Sequence, residues 1–415
     1  IAVLGAGPIG LEAALYGRFL GYDVQVYEQG RVAGNVLSWG HVRMFSPFAL
    51  NRSPLGLAAL AAQDPSWCPP EDEALLTGNL FANQYLIPLS QTDLLADHIH
   101  TRTTVVAIGR SSATKMAPVI DREQRAIDPF LLLVRDGDGV ESYTEADIVI
   151  DASGVYQNHG WMGQGGIPAV GETSLQSKFV YGLADVLGQD REHYLGKHTL
   201  VVGSGYSAAT TVVTLSELAE QSSETQVTWV TRRTGPRGPV SEVPNDRLSG
   251  RQGLAETANR LAPDKDMVCV SLLPETHIVA VTSEQDRFLV QLTGQHAGEL
   301  QVDRVIANVG FRPDSSIYRE LQVHQCYASE APMQIATTLL GEASGDCLGQ
   351  ESPPSSALLT TEPNFYILGN KSYGRDPRFL ISIGLEQIRQ IFSVIVDRED
   401  LDLYQGIQTE RRKLE

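Results

Sequence analysis

Two stretches decide how this chain folds: Ile1-Ala-Val-Leu-Gly5-Ala-Gly7-Pro-Ile-Gly10 and Thr199-Leu-Val-Val-Gly203-Ser-Gly205-Tyr-Ser-Ala208. Each reads as a short apolar strand, a glycine-rich turn and the start of a helix built from small residues. The first glycine permits a tight bend, the second lets backbone approach a pyrophosphate, and the third small residue lets helix pack on strand. The helix N-terminus then offers N–H groups to phosphate. A lone G-x-G-x-x-G is equally compatible with a surface turn, and it is the flanking strand and helix that point each stretch to a dinucleotide.

The residues after each turn separate the two. Beyond Gly10 comes helical Leu11-Glu12-Ala13-Ala14-Leu15, then a strand, Asp23-Val-Gln-Val-Tyr27, that ends on Glu28. A carboxylate there suits the two hydroxyls of an adenosine ribose. Beyond Ala208 the helix gives way to Gln226-Val-Thr-Trp-Val-Thr231, which ends on Arg232-Arg233. Two guanidinium groups suit a 2′-phosphate, the alternative being solvated surface charge. The first site therefore reads as FAD or NAD and the second as NADP(H).

Composition bounds the partners. A chain of 415 residues has room for roughly two or three domains with sizeable cores. Its 50 acidic against 32 basic residues give a formal charge of −18, which repels nucleic acid and anionic lipid and makes both unexpected as partners. No apolar run approaches the roughly 18 residues of a membrane span. The chain opens on a strand, without the basic and apolar regions of a signal peptide. A soluble cytoplasmic protein is the expectation, and a homodimer stays open. Cys68, Cys269, Cys326 and Cys347 form no C-x-x-C pair, so a redox dithiol of the usual local type is not expected. Cysteine and histidine are too scattered to suggest a metal, and at least two of the four thiols are expected to be buried and inert.

Two further segments share one plan. Thr103-Thr-Val-Val-Ala-Ile108 and Phe130-Leu-Leu-Leu-Val-Arg135 lead to Ala146-Asp-Ile-Val-Ile-Asp151-Ala-Ser-Gly154. His277-Ile-Val-Ala-Val-Thr282 and Phe288-Leu-Val-Gln-Leu292 lead to Asp303-Arg-Val-Ile-Ala-Asn-Val-Gly310. Each reads as a β-meander returning to a buried parallel strand that closes on a small-residue turn. The architecture, if not the sequence, is duplicated.

With these motifs the chain resembles, over nearly its whole length, the two-dinucleotide-binding flavoproteins. That class includes thioredoxin-reductase-like enzymes, flavin-containing monooxygenases and N-hydroxylating monooxygenases. In that family an NADP domain is inserted into the FAD domain, and Asp151-Ala-Ser-Gly154 and Asn308-Val-Gly310-Phe-Arg-Pro look like the turns at the two crossings. Asn364-Phe-Tyr-Ile-Leu-Gly369-Asn370 stands where the family has a strand ending in Gly-Asp; an amide still hydrogen-bonds a ribityl hydroxyl. The resemblance implies an α/β protein in which an FAD-binding Rossmann-like domain carries an inserted NAD(P)-binding Rossmann-like domain, each with a β-meander. The divisions are 1–160 and 311–415 for the FAD domain, 161–196 for a linker and 197–310 for the NADP domain.

The same resemblance implies FAD contacts from Gly5, Gly7, Pro8, Gly10, Glu28, Gln29, Asn35, Trp39, Val106, Ala152, Ser153, Gly154, Gly369 and Asn370. NADPH contacts fall on Gly203, Ser204, Gly205, Tyr206, Ser207, Arg232 and Arg233. The helical pattern from Phe379 to Phe392 is either a helix with its N-terminus toward the flavin or an ordinary packing helix. Arg43, in the loop after Trp39, is the candidate catalytic residue: a permanent charge able to stabilise reduced flavin or orient a carboxylate, unless it lies on a surface loop. The stretch from Ser66 through Asp93, a proline-punctuated loop and then an amphipathic helix, suits a substrate-pocket wall.

The implied activity is hydride transfer from NADPH to FAD. A monooxygenase acting on a small molecule through a flavin hydroperoxide, with molecular oxygen as co-substrate, ranks first. An NADPH-dependent reductase or electron-transfer protein without a dithiol is the alternative. Phe179-Val-Tyr-Gly182-Leu-Ala-Asp185 is related to the Phe-x-Gly-x-x-x-His signature of flavin-containing monooxygenases, but it has aspartate for histidine and a different spacing. That departure leaves an N-hydroxylase-like or other oxygenase open.

Overall fold

The computed structural model describes residues 1–117, 122–235, 237–262, 269–341, 348 and 352–405. The chain forms two compact units. Unit 1 is Ile1–Gly40, Ser46–Asn158 and Arg312–Glu415, and unit 2 is His41–Phe45 and His159–Phe311.

Unit 1 is built on β1 (Ala2–Leu4), β2 (Gln25–Glu28), β3 (Ile99–Thr101), β7 (Val149–Asp151) and β15 (Phe365–Ile367), with β4 (Thr104–Arg110), β5 (Phe130–Arg135) and β6 (Glu141–Ala146) as a separate meander. The first five pair in parallel in the order β15-β7-β1-β2-β3. β1, β7 and β15 are buried at every position, the pattern of a parallel sheet covered on both faces. Helix Pro8–Phe19 begins with proline after an extended Gly7, where the missing N–H costs nothing. It buries Tyr16, whose ring stacks on Phe392 of helix Ile381–Ile395 at 5.0 Å. Full burial of a ring that size contributes about 2 kcal/mol. On the other face Ala2, Leu4, Val149, Phe365 and Ile367 share a core with Ile108, Phe130 and Leu132 of the meander.

Unit 2 repeats the plan. Its parallel sheet runs β10-β9-β8-β14, from β8 (His198–Val202), β9 (Gln226–Val230), β10 (Val270–Leu273) and β14 (Arg304–Ala307); β11 (Thr276–Glu284), β12 (Arg287–Gly294) and β13 (Gly298–Val302) form the meander. Side chains alternate across the sheet. Val201, Trp229 and Ile306 pack with helices Tyr206–Ala219 and Ser249–Leu261, while Leu200, Val202, Val305 and Ala307 pack with Ile278, Val281, Phe288 and Val290 of the meander. Both meanders carry a β-bulge in their first strand, leaving Val106 unpaired in β4 and Val279 unpaired in β11.

Three expectations need correction or detail. The 161–196 stretch is not a linker: Met162, Ala169 and Phe179 lie in one core of unit 2, and Val186 and Tyr194 in the other. Its apolar residues are spread among polar ones, so only tertiary packing shows their burial. The expectation that at least two cysteines are buried fails. Cys68 is exposed, Cys269 and Cys326 are partly exposed, and Cys347 lies outside the described residues. Cys269 directly precedes β10, an edge strand, and Cys68 sits in a proline-flanked loop. Finally, the helix expected before Asp93 contains a π-helical turn, Ala82–Leu86, between Gly78–Phe81 and Ile87–Ser90. Among the described residues no helix is long and apolar enough to cross a membrane.

Candidate dinucleotide sites

In unit 1 the strand ends β1, β7 and β15 bring three turns to one edge of the sheet. Gly5 has φ +95°, a conformation only glycine adopts freely, and a Cβ there would lie 2.9 Å from Ala152 O and 3.0 Å from Ser153 Cα. The 5–7 and 152–154 turns are therefore in contact. A Cβ on Gly10 would lie 1.8 Å from Gly5 O, so helix and turn are as close as backbone allows. A Cβ on Gly7 would meet nothing within 4 Å. That is the cradle the motif requires: crowded at its first and third glycines and open at its second. The first-turn amides of helix Pro8–Phe19 have no intrahelical acceptor.

Glu28 stands at the rim, its Oε2 accepting from Ala6 N and its Oε1 from Gly30 N, each at 2.8 Å. Two backbone amides thus fix the carboxylate while lone pairs remain for a ribose. Gln29 is exposed. Asn35, in helix Gly34–Ser38, accepts from Gln157 Nε2 at 3.0 Å. Trp39 packs its ring on Gly78, and its indole nitrogen is buried with no hydrogen-bond partner among the described residues. A donor in that state ordinarily has water or a ligand against it. Gly369 donates its N–H to Gln387 Oε1 at 2.9 Å, and Asn370 beside it is half-buried. These observations fit an anionic dinucleotide.

Helix Pro8–Phe19 carries a second polar centre on its buried side. Glu12, 2% exposed, accepts from Ser53 Oγ at 2.8 Å and Tyr404 OH at 3.0 Å. Burial pushes its carboxyl up to about 7, against the two hydrogen bonds that pull it down. The buried Tyr85 and Tyr404 hydroxyls are raised above the usual tyrosine range, also mainly by burial.

In unit 2 the cradle recurs. Gly203 has φ +131°, and a Cβ there would lie 2.2 Å from Asn308 O, whereas one on Gly205 would meet nothing within 4 Å. Ala208 is fully buried as the third small residue. Asn308 ties the turn to its surroundings: its Oδ1 accepts from Thr211 Oγ1 at 2.8 Å and its Nδ2 donates to Gly182 O at 2.7 Å. Ser204 and Ser207 are exposed, and Tyr206 donates from its hydroxyl to Ser241 O at 3.1 Å. Arg232 and Arg233 are both exposed just past β9.

Arg43 belongs to unit 2. It is exposed, and its neighbour Phe45 meets Tyr206 edge-on at 5.9 Å. Val106 is the bulged residue of β4. Lys371 and Gln387, which brace the turns of unit 1, were not legible in sequence, because nothing local marks a lysine in the helical turn Gly369–Tyr373 as buried.

The sequence matches no protein-family model and no curated protein. Solved structures do match. A bacillithiol disulfide reductase from Bacillus cereus superposes with a TM-score of 0.66 at 16% identity, covering 96% of this chain and 98% of the reductase. An ornithine N-hydroxylase from Kutzneria sp. 744, solved with reduced FAD, NADP⁺ and L-ornithine, gives 0.63 at 14% identity over 95% and 98%. A cadaverine monooxygenase from Erwinia amylovora, bound to FAD, gives 0.62 at 13% over 96% and 94%. The chain thus has the two-dinucleotide-binding flavoprotein fold, one shared by disulfide reductases and amine monooxygenases.

Proposed function

We propose that this protein is an FAD- and NADPH-dependent oxidoreductase, with FAD on unit 1 and NADPH on unit 2, acting as a monooxygenase on a small nucleophilic molecule. The observation that carries the reading is the difference between two otherwise matching cradles. One has Glu28 fixed by two amides, and the other has two exposed arginines, Arg232 and Arg233, just past β9, the strand that pairs with β8.

Amides of the 5–7 turn and the following helix would hold the FAD pyrophosphate, Glu28 would accept from its ribose hydroxyls, and the Arg232–Arg233 pair would hold the 2′-phosphate of NADPH. Bound FAD would supply the hydride acceptor and pass electrons onward. The absence of a C-x-x-C pair in this sequence supports oxygen over a disulfide as acceptor. The strongly acidic composition favours a second reading, a reductase whose electron acceptor is a basic protein.

The test is to reconstitute the protein with FAD, reduce it anaerobically with NADPH or NADH, then admit oxygen with candidate amines and thiols. NADPH should bleach the yellow protein faster than NADH, and a substrate should turn oxygen consumption into oxygenated product instead of hydrogen peroxide. Peroxide as the sole product with every nucleophile, together with fast reduction of a basic redox protein, would select the second reading. Failure to retain FAD at all would remove both.

A further inference from the structure

Beneath the 152–154 turn lies a buried ion pair that the cradle itself does not require. Lys371, 2% exposed, donates from Nζ to Asp151 Oδ2 at 2.6 Å and to Ser153 Oγ at 3.0 Å. Ser153 donates to Asp151 Oδ1 from its hydroxyl at 2.6 Å and from its backbone N–H at 3.1 Å. Asp151 is fully buried, and Lys371 is the only buried lysine among the described residues. Nζ also faces the ring of Tyr318, 5.2 Å from its centroid. The 152–154 turn held in this way is the one against which Gly5 packs.

A clamp alone has no need of full charges, since apolar residues of similar volume commonly stabilise a core as well as a buried pair does. What a pair at this place adds is a field. An ammonium next to the cradle favours the more negative state of whatever is bound there, a carboxylate disfavours it, and in a buried setting neither is well screened. We propose that Lys371 and Asp151 are positioning residues that set the reduction potential of FAD through their opposed charges beneath the Ser153 turn. This rests on the assignment of FAD to unit 1.

Removing one partner exposes the other. K371M leaves a carboxylate and lowers the potential, whereas D151N leaves an ammonium and raises it. An unpaired buried carboxylate takes up a proton and an unpaired buried ammonium releases one. Each variant is therefore compared with the unmodified protein at the same pH, at several pH values, since burial disfavours a lone charge. Among the described residues Tyr318 feels the charge of Asp151 and Asp314 that of Lys371, and both stay in every variant.

The experiment is spectroelectrochemical titration of the FAD-reconstituted protein and its variants. Expected are shifts of opposite sign, each at least about tenfold in the reduced-to-oxidised ratio at fixed potential, or ~30 mV for a two-electron couple. Shifts of the same sign, or none, with FAD still bound would overturn the proposal, because loosening the turn moves both variants alike. If the neutral variants do not hold FAD, K371R decides. It keeps the charge, so a potential within about threefold of the unmodified protein in the same ratio supports the proposal and a tenfold shift refutes it. An unmodified protein that takes up no FAD would instead sink the cofactor assignment.

Discussion

Glu12 offers the most direct quantitative test of the packing around the first cradle. Its folded carboxyl sits at about 7, against an ordinary value of 4.5. A difference of roughly 2.5 units at about 1.4 kcal/mol per unit is worth about 3 kcal/mol. The sign comes from proton counts. Below about pH 4.5 the group is protonated in both states and costs nothing. Between about 4.5 and 7 the unfolded chain has lost the proton and the folded chain keeps it, so stability falls as pH rises. Above about 7 the full loss is in place and the profile levels. Glu12→Gln removes this titration, and its amide can still accept from Ser53 or Tyr404. The variant should therefore match the unmodified protein to within about 1 kcal/mol near pH 4.5 and exceed it by about 2–3 kcal/mol near pH 8. Because two units need not unfold together, the assay is native-state hydrogen exchange of the Pro8–Phe19 amides across this range. Parallel profiles for the two proteins would refute the assignment of a neutral, buried Glu12.

Substitutions elsewhere have equally definite expected outcomes. Gly10→Ala must displace Gly5 O from 1.8 Å and should cost about 1–3 kcal/mol in stability as well as FAD retention. Gly7→Ala, with open space around its Cβ, should leave melting of the cofactor-free protein unchanged yet weaken FAD at least about tenfold. Replacing Arg232 and Arg233 by alanine should raise KM for NADPH by roughly 10- to 100-fold, at about 1.5–3 kcal/mol for charged hydrogen bonds, with little change for NADH; equal losses would remove the pair from the site. Glu362 accepts from Arg110 Nε and Arg125 Nε at 2.8 Å in the interior, so Glu362→Ala strands two buried cations and should lower stability by about 3–5 kcal/mol in a thermal or urea melt.

The sequence disclosed elements whose signal is local. β1 and β8 are marked by the glycine turns that follow them, and β7 and β14 by apolar runs ending in small residues. β6 and β13 left no such mark: Glu141–Ala146 and Gly298–Val302 are largely exposed, and their hydrogen bonding to β5 and β12 is what makes them strands. The glycines were legible because backbone geometry demands them, and Glu28 was singled out by its place at the end of β2. The Lys371–Asp151 contact spans 220 residues of sequence, and no periodicity or motif predicts which buried charge a distant carboxylate will meet.

The order of strands in unit 1 also governs how the chain is made. β15 pairs with β7, but its residues leave the ribosome only after all of unit 2 has been synthesised. Apart from residues 41–45, unit 2 is continuous, so it can close its sheet while unit 1 is still missing an edge. Until residue 365 emerges, β7 presents unpaired backbone and a carboxylate without its lysine, an opening for pairing with another nascent chain. Truncation before β15 should therefore yield a folded unit 2 beside an unfinished unit 1, which limited proteolysis of the truncated chain would show.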